Sequence, residues 1–179
     1  MPPEDARTRR LAVDHGKLQA LAARSGGALT ITKATGTPPQ KYLLTLRCKG
    51  IERLEGDAPV FRDEHKLEIR IPAAYPLAPP HVRLLTPIFH PHVHATSDVC
   101  IGHRWVVGEG LDNLIVRVAS FIRCEPEYFD LDSVANAEAA DWVEAHMALF
   151  PLQADPFGGG PTAEPVPAKR RIVWQDQRG

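Results

Sequence analysis

One stretch of the chain, Pro87 to His103, concentrates the side chains that could do chemistry. It holds one of the three cysteines, Cys100, and four of the eight histidines: His90, His92, His94 and His103. A thiolate is a strong nucleophile, and an imidazole can hold or release a proton near neutral pH. The same donor atoms also bind zinc. The stretch therefore supports either acyl transfer through Cys100 or a metal site.

This stretch has neither a helical nor a strand period, so we expect a long loop. Loops of this length inside a compact domain are usually functional or disordered. Four apolar residues can anchor the loop in a core: Phe89, Val93, Val99 and Ile101. We therefore expect an ordered, functional loop.

Composition excludes several classes of protein. The net charge of −1 creates no field that would recruit nucleic acid, so we expect no nucleic-acid partner. No apolar run is long enough to span a bilayer, so we expect no membrane partner. The start of the chain lacks a secretory layout, and the cysteine spacing does not suggest a disulfide framework. We expect a cytoplasmic protein with free thiols.

Length and composition divide the chain into two parts. At 179 residues and 44% apolar content, it can form one domain with a core. We assign residues 1–150 to that domain. Glycine and proline become frequent after Pro151, so residues 151–179 are predicted to be a linker ending in a docking peptide around Trp174.

An amphipathic helix is predicted over residues 4–25. Leu11, Leu18 and Leu21 form its apolar stripe, with Ala12 and Ala22 beside them. The other faces carry Arg7, Arg9, Arg10, Lys17 and Arg24. These cations form either a solvated surface or a docking face for an acidic partner. The helix should end at Ser25-Gly26-Gly27.

Four strands are predicted next, over residues 29–34, 42–48, 67–71 and 81–85. Alternation places Tyr42, Leu44, Leu46 and Cys48 on one face, which makes Cys48 a core thiol. Short connections without helices predict an antiparallel meander. A proline turn, Ala74 to Pro80, precedes the fourth strand.

Two helices are predicted after the loop. The first starts near Asp112 as its N-cap, and its wide apolar stripe indicates a buried central helix: Leu114, Ile115, Val118, Phe121 and Ile122. Cys124, at its end, is expected to be structural. The second runs from Val134 or Asn136 to Leu149.

Together these motifs resemble the ubiquitin-conjugating enzyme family. Tyr75-Pro76-Leu77-Ala78-Pro79-Pro80 resembles its proline turn, Ile88-Phe89-His90-Pro91 the start of its His-Pro-Asn signature, and Cys100 its thioester cysteine. Trp105 resembles its loop tryptophan, and residues 125–130 its acidic gate segment. The resemblance covers residues 4–150 and implies an α+β fold. That fold has an N-terminal helix, a four-stranded antiparallel sheet, an active-site loop, and central and C-terminal helices.

The resemblance implies a transferase. Cys100 would accept a ubiquitin-like protein from an activating enzyme and transfer it to an amine of a target, with lysine the expected acceptor. The basic N-terminal helix would meet the activating enzyme. No cofactor is expected, because ATP is used only by that partner.

The resemblance also implies roles for other residues. Asp130 matches the gate residue that orients the incoming amine, although the neighbouring Asp132 is equally suited to be a helix N-cap. His90 would hold the loop through hydrogen bonds. His92 would donate to the oxyanion or order the loop. His103 competes with His92, and His103, Asp132 and Trp105 are candidate substrate-binding residues. His94 has no assigned role.

Three departures indicate a divergent member, for example of a bacterial ubiquitination-like system. His92 stands where the family has asparagine, the segment between Cys100 and the central helix is short, and residues after Pro151 have no counterpart. The alternatives are a zinc site built from the loop histidines and Cys100, a catalytically inactive scaffold, and a cysteine hydrolase.

Overall fold

The computed structural model describes residues 5–101, 105–128 and 134–158. In chain order the elements are α1 (Ala6–Arg24), β1 (Leu29–Gly36), β2 (Pro39–Leu46), β3 (Gly50–Glu55), β4 (Ala58–Arg62), β5 (His65–Arg70), β6 (His81–Leu84), α2 (Leu111–Ile122) and α3 (Ala137–Ala145). Short 3₁₀ turns cover Pro126–Tyr128 and Met147–Leu149. The α+β fold expected from the sequence is confirmed.

Helix α1 begins and ends where local chemistry predicts. The Asp5 carboxylate accepts from the Thr8 N–H at 2.7 Å and caps the N-terminus. The helix stops before Gly26 and Gly27, which take positive φ angles of 59° and 89°. Its three leucines are buried, but Ala12 is exposed, and the fourth buried side chain of the helix is Asp14.

The main sheet is antiparallel with strand order β1–β2–β5–β6, and its members are the four predicted strands. Leu44 lies opposite Leu67, and Leu67 lies opposite Leu84. These side chains pack with α1 and α2 in one hydrophobic core. Burial of each such residue stabilises the fold by about 1.5–3 kcal/mol. The outer face carries exposed charged residues: Lys41, Lys66, Arg70 and Arg83.

One connection in the sheet was not predicted correctly. In the chain, β2 is joined to β5 by a hairpin of two further strands, β3 and β4, which form a separate two-stranded sheet. Gly56 takes a φ of 65° in the turn, a conformation that glycine adopts without strain. The dipeptide Gly56-Asp57 is a hairpin signal. Its flanking strands lack a clean alternation of buried and exposed residues, which hides them in the sequence.

Helix α2 is the central element, as expected, and every residue from Leu114 to Ile122 is buried. The predicted N-cap was wrong: Gly110 occupies that position, and Asp112 lies in the first turn. A side chain at residue 110 would collide with the Asp112 carboxylate, which would have to move, whereas Asp14 and Lys17 of α1 would lie at ordinary contact distance.

Helix α3 is shorter than predicted. Its N-cap is Asn136, whose side chain accepts from the Ala139 N–H at 3.1 Å. The α-helix ends at Ala145, and the predicted remainder to Leu149 is a 3₁₀ turn.

The first residues of the predicted linker contact the domain. The Leu152 N–H donates to the Arg123 carbonyl at 3.0 Å, and the Arg123 guanidinium donates to the Gln153 carbonyl at 3.0 Å. Phe157 packs against the main core. Residues 159–179 lie outside the described part of the chain, so the division at residue 150 stays a prediction.

None of the helices in the described ranges combines the length and apolarity needed to cross a membrane.

A buried histidine makes stability depend on pH. Burial lowers the pKa of His65 from 6.5 to about 4, so His65 in the unfolded chain binds a proton at a higher pH than in the folded chain. Stability should therefore fall as pH falls from 6.5 to about 4, by on the order of 3 kcal/mol. Urea denaturation across this range should show a shallower pH dependence for His65→Leu. His81→Gln, a change at an exposed histidine, is the control. An unchanged slope in His65→Leu would contradict the assignment.

Candidate active site

The loop that follows β6 leaves the sheet edge and returns to it. The Leu84 N–H donates to the Ser97 carbonyl at 2.9 Å, and the Val99 N–H donates to the Val82 carbonyl at 2.9 Å. Val93 and Val99 form a bridge across the loop. Both valines are buried in the main core. These contacts agree with the ordered loop that its apolar residues predicted.

His90 lies inside the fold, only 1% exposed. Its surroundings are mainly apolar: Leu84, Ile88, Val93, Val99, Val118, Phe121 and Ile122. Burial lowers its pKa to about 3, with a smaller contribution from His92 in the same direction. Nδ1 of the ring accepts from the His92 N–H at 3.0 Å, so the proton of the neutral ring is on Nε2. His90 was expected to hold the loop through hydrogen bonds, and this bond joins its ring to the loop backbone.

His92 is also buried, at 4% exposure. Its ring centroid lies 5.7 Å from that of His90 and 5.8 Å from that of Phe121. Its carbonyl accepts from the Cys100 N–H at 2.9 Å. The two roles suggested for His92 were oxyanion donation and loop ordering, and these contacts favour loop ordering.

Cys100 differs from the other two thiols. Cys48 and Cys124 are buried, and burial raises both pKa values, that of Cys48 to about 12. These are the inert thiols expected from the sequence. Cys100 is partly exposed at the end of the anchored loop. It is the one cysteine placed to meet another molecule.

The described donors do not assemble a metal site. His94 is exposed, whereas His90 and His92 face the core. Within residues 5–101, 105–128 and 134–158, no three His, Cys, Asp or Glu side chains are close enough to share a metal ion. His103 lies outside these ranges.

Asp130 and Asp132 also lie outside the described residues, and their assigned roles stay predictions. The cap of α3, described above, is Asn136.

Trp105 contacts the proline turn. Its indole N–H donates to the Pro76 carbonyl at 2.8 Å, and its ring centroid lies 5.7 Å from that of Tyr75. The indole donor is thus engaged within the fold. These contacts indicate a structural contribution from a residue suggested to bind substrate.

A buried polar network holds the segment between Trp105 and α2, and the sequence analysis did not identify it. Arg10 donates to the Asp14 carboxylate at 2.6 Å and to the Val107 carbonyl at 2.8 Å. Tyr75 donates its hydroxyl proton to the same carboxylate, and this contact and burial raise the pKa of Tyr75. One signal was present: Asp14 lies three residues after Leu11 and four before Leu18, on the apolar stripe of α1.

A second buried pair extends this network to α2. Both oxygens of the Glu109 carboxylate accept from Arg117, at 3.0 and 2.7 Å. Burial raises the pKa of Glu109, while Arg117 opposes the shift. A bidentate pair of this kind fixes orientation as well as distance.

The basic face predicted on α1 is narrower in the structure. Arg10 belongs to the network, and Arg7 donates to the Gln40 side chain and the Pro72 carbonyl, at 3.0 and 3.1 Å. Arg9, Lys17 and Arg24 remain exposed.

Comparison with known proteins agrees with this architecture. A model of the ubiquitin-conjugating enzyme family matches residues 54–155. Ubiquitin-conjugating enzyme E2 2 of Candida albicans is 28% identical over 97 residues, covering 52% of each chain. Ubiquitin-conjugating enzyme E2 K of Homo sapiens is 25% identical over 118 residues, which are 64% of this chain and 59% of the relative. The chain thus spans about half to three fifths of these curated relatives.

A solved structure shows the same fold. The ubiquitin conjugating enzyme E2 UbcA1 from Agrocybe aegerita superposes with a TM-score of 0.50 at 22% identity, covering 66% of this chain and 83% of that one. The family match extends over more than half of the chain and includes the anchored loop with Cys100. The chain therefore belongs to the ubiquitin-conjugating enzyme family.

Proposed function

We propose that this protein carries a ubiquitin-like modifier as a thioester on Cys100 and transfers it to an amine of a target, with lysine the expected acceptor. The supporting observation is the location of Cys100. Of the three cysteines, Cys100 alone is not buried, and it ends a loop anchored in the core. Its sequence context resembles that of the family's thioester cysteine.

The loading step exchanges one thioester for another. The Cys100 thiolate attacks the carbonyl carbon of the thioester on an activating enzyme, a new C–S bond forms, and the donor thiolate leaves. The energies of the two bonds are similar, so the step depends mainly on position and on a supply of thiolate. An ordinary cysteine with a pKa of about 8.5 is a few per cent thiolate at neutral pH.

The transfer step makes an amide. The amine nitrogen attacks the same carbonyl carbon, the C–N bond forms, the C–S bond breaks, and the amine loses a proton. An ordinary lysine has a pKa of about 10.4, so it must be deprotonated before it attacks. Asp130 is the proposed residue that orients the amine. The buried pair His90 and His92 is proposed to hold the loop while the tetrahedral intermediate forms.

The proposed partners are an activating enzyme, the modifier and the target. Arg9, Lys17 and Arg24 on α1 are exposed cations that support docking of the activating enzyme at this helix. ATP would act only on that partner, and no resident cofactor is proposed. A cytoplasmic location and a bacterial origin stay predictions.

Three cysteine variants test the proposal. With a cognate activating enzyme, ATP and modifier, the wild type should form an adduct that thiol reductants cleave, since a thioester exchanges with free thiols. The adduct should persist in Cys48→Ala and Cys124→Ala and disappear in Cys100→Ala. Non-reducing electrophoresis measures it.

Other outcomes would favour the alternatives. An adduct that survives in Cys100→Ala would show that another group accepts the modifier and would contradict the role proposed for Cys100. A folded wild type that never forms an adduct would support an inactive scaffold. Stoichiometric zinc in the purified protein would support a metal site.

Replacing His92 tests the role of the buried rings. His92→Ala should slow discharge to lysine more than loading. Attack by the amine passes through a tetrahedral intermediate that needs an ordered loop, whereas loading exchanges two thioesters of similar energy and depends less on loop order. His92→Phe keeps an aromatic ring against Phe121 but has no ring N–H. Single-turnover discharge by His92→Phe should stay close to wild type if the ring orders the loop. Discharge as slow as in His92→Ala would instead assign the N–H to the oxyanion. His94→Ala, at an exposed position, is the control.

A further inference from the structure

A second hydrophobic cluster lies beside the main core and joins the β3–β4 hairpin to α3. Its buried members are Ile51, Trp142 and Val143, with Leu54, Phe89, Phe150 and Leu152 packed against them. Phe89 belongs to the active-site loop and directly precedes His90. The side chain of Phe89 therefore brings the loop into contact with this cluster.

Backbone hydrogen bonds hold the same part of the loop. The Phe89 N–H donates to the Ile51 carbonyl of β3 at 2.7 Å. The Pro91 carbonyl accepts from the Ala135 and Asn136 N–H groups, at 2.7 and 3.0 Å, at the start of α3. Residues 89–91 thus lie between the hairpin and α3, and the position of either element affects them.

Trp142 is the side chain that fixes the hairpin to α3. It is 7% exposed, and its ring meets the Phe89 ring edge-on, with centroids 6.2 Å apart. Its indole N–H donates to the Asp57 carboxylate at 2.8 Å, in the turn between β3 and β4, and more weakly to the Asp57 carbonyl at 3.3 Å. His146 stacks on the indole at 4.1 Å, and its Nε2 lies 3.5 Å from the other Asp57 oxygen.

We propose that Asp57 and Trp142, here called the clasp, are positioning residues for the reaction of Cys100. The path runs from Asp57 to Trp142, to Phe89, and then through His90 and His92 to the Cys100 N–H. The Asp57 side chain is 80% exposed, so shortening it opens no cavity in the core. Its loss would release the indole orientation and loosen the loop. This inference rests on the function proposed above.

Four single variants and one double variant separate positioning from general stability. Asp57→Ala removes the carboxylate acceptor and leaves only the Asp57 carbonyl, at 3.3 Å, whereas Trp142→Phe removes the indole donor altogether. Asp57→Asn keeps a side-chain carbonyl oxygen that can accept from the indole N–H. Asp63→Ala removes an exposed carboxylate just after β4 and serves as the matched control. The double variant Asp57→Ala/Trp142→Phe shows whether the two residues act together.

Asp57→Ala and Trp142→Phe should slow single-turnover discharge from Cys100 by about fivefold, the effect of losing one ordinary hydrogen bond. The activating-enzyme concentration that gives half-maximal loading should not change, because α1 is untouched. Asp57→Asn and Asp63→Ala should behave like the wild type. The double variant should be no slower than Trp142→Phe, which already removes the donor.

Amide hydrogen exchange tests the clasp without any modifier. The N–H groups of Phe89 and Cys100 should exchange about fivefold faster in Asp57→Ala than in the wild type or Asp57→Asn. If the wild type does not load a modifier, the proposed function is wrong and exchange alone decides about the clasp. The inference would be overturned if Asp57→Ala showed the same amide exchange rates and the same discharge rate as the wild type. It would also be overturned if Asp57→Asn and Asp57→Ala slowed discharge equally.

Discussion

The hydrogen bond from the His92 N–H to Nδ1 of His90 is the interaction on which the loop geometry depends. It lies in apolar surroundings, where an unsatisfied N–H costs about 1–3 kcal/mol. The acceptor exists only while His90 is neutral, and burial keeps it neutral by lowering its pKa to about 3. Because the His92 carbonyl in turn accepts from the Cys100 N–H, a buried imidazole orders the backbone up to the thiol.

The chain is held on both sides of Cys100, by different means. Before the cysteine, Phe89 and Pro91 are fixed between the hairpin and α3, mainly by backbone hydrogen bonds and aromatic contacts. After it, the segment that leads to α2 is fixed by Arg10 and by the Glu109–Arg117 pair. Buried charges cost desolvation energy that close pairing only partly offsets. Their use here is best explained by orientation, since a bidentate pair fixes direction as an apolar contact does not.

Local periodicity explains why most of the fold was predictable. Alternation in β2 and β5 and apolar stripes in α1 and α2 are short-range patterns. All four elements form close to the positions that these patterns predicted. The hairpin was missed because β3 and β4 pack against α3 and the loop and not on a sheet face, so their burial does not alternate. Asp112 was predicted to be the N-cap from its residue type, but the helix already begins at Leu111, after a glycine that supplies no side-chain cap.

Neighbouring residues were enough to predict α1, α2 and the four strands of the main sheet in their order, the burial of Cys48 and the location of Cys100 in a loop. The hairpin and the partners of the polar side chains became visible only in the folded chain. Arg10 was predicted on a basic surface but is partly buried, and two of its partners lie 65 and 97 residues away, at Tyr75 and Val107. His92 was suggested either to donate to the oxyanion or to order the loop, and it packs on Phe121 of α2. A polar side chain is stable inside a protein only when distant parts of the chain supply its partners, and no local pattern records where those partners will be.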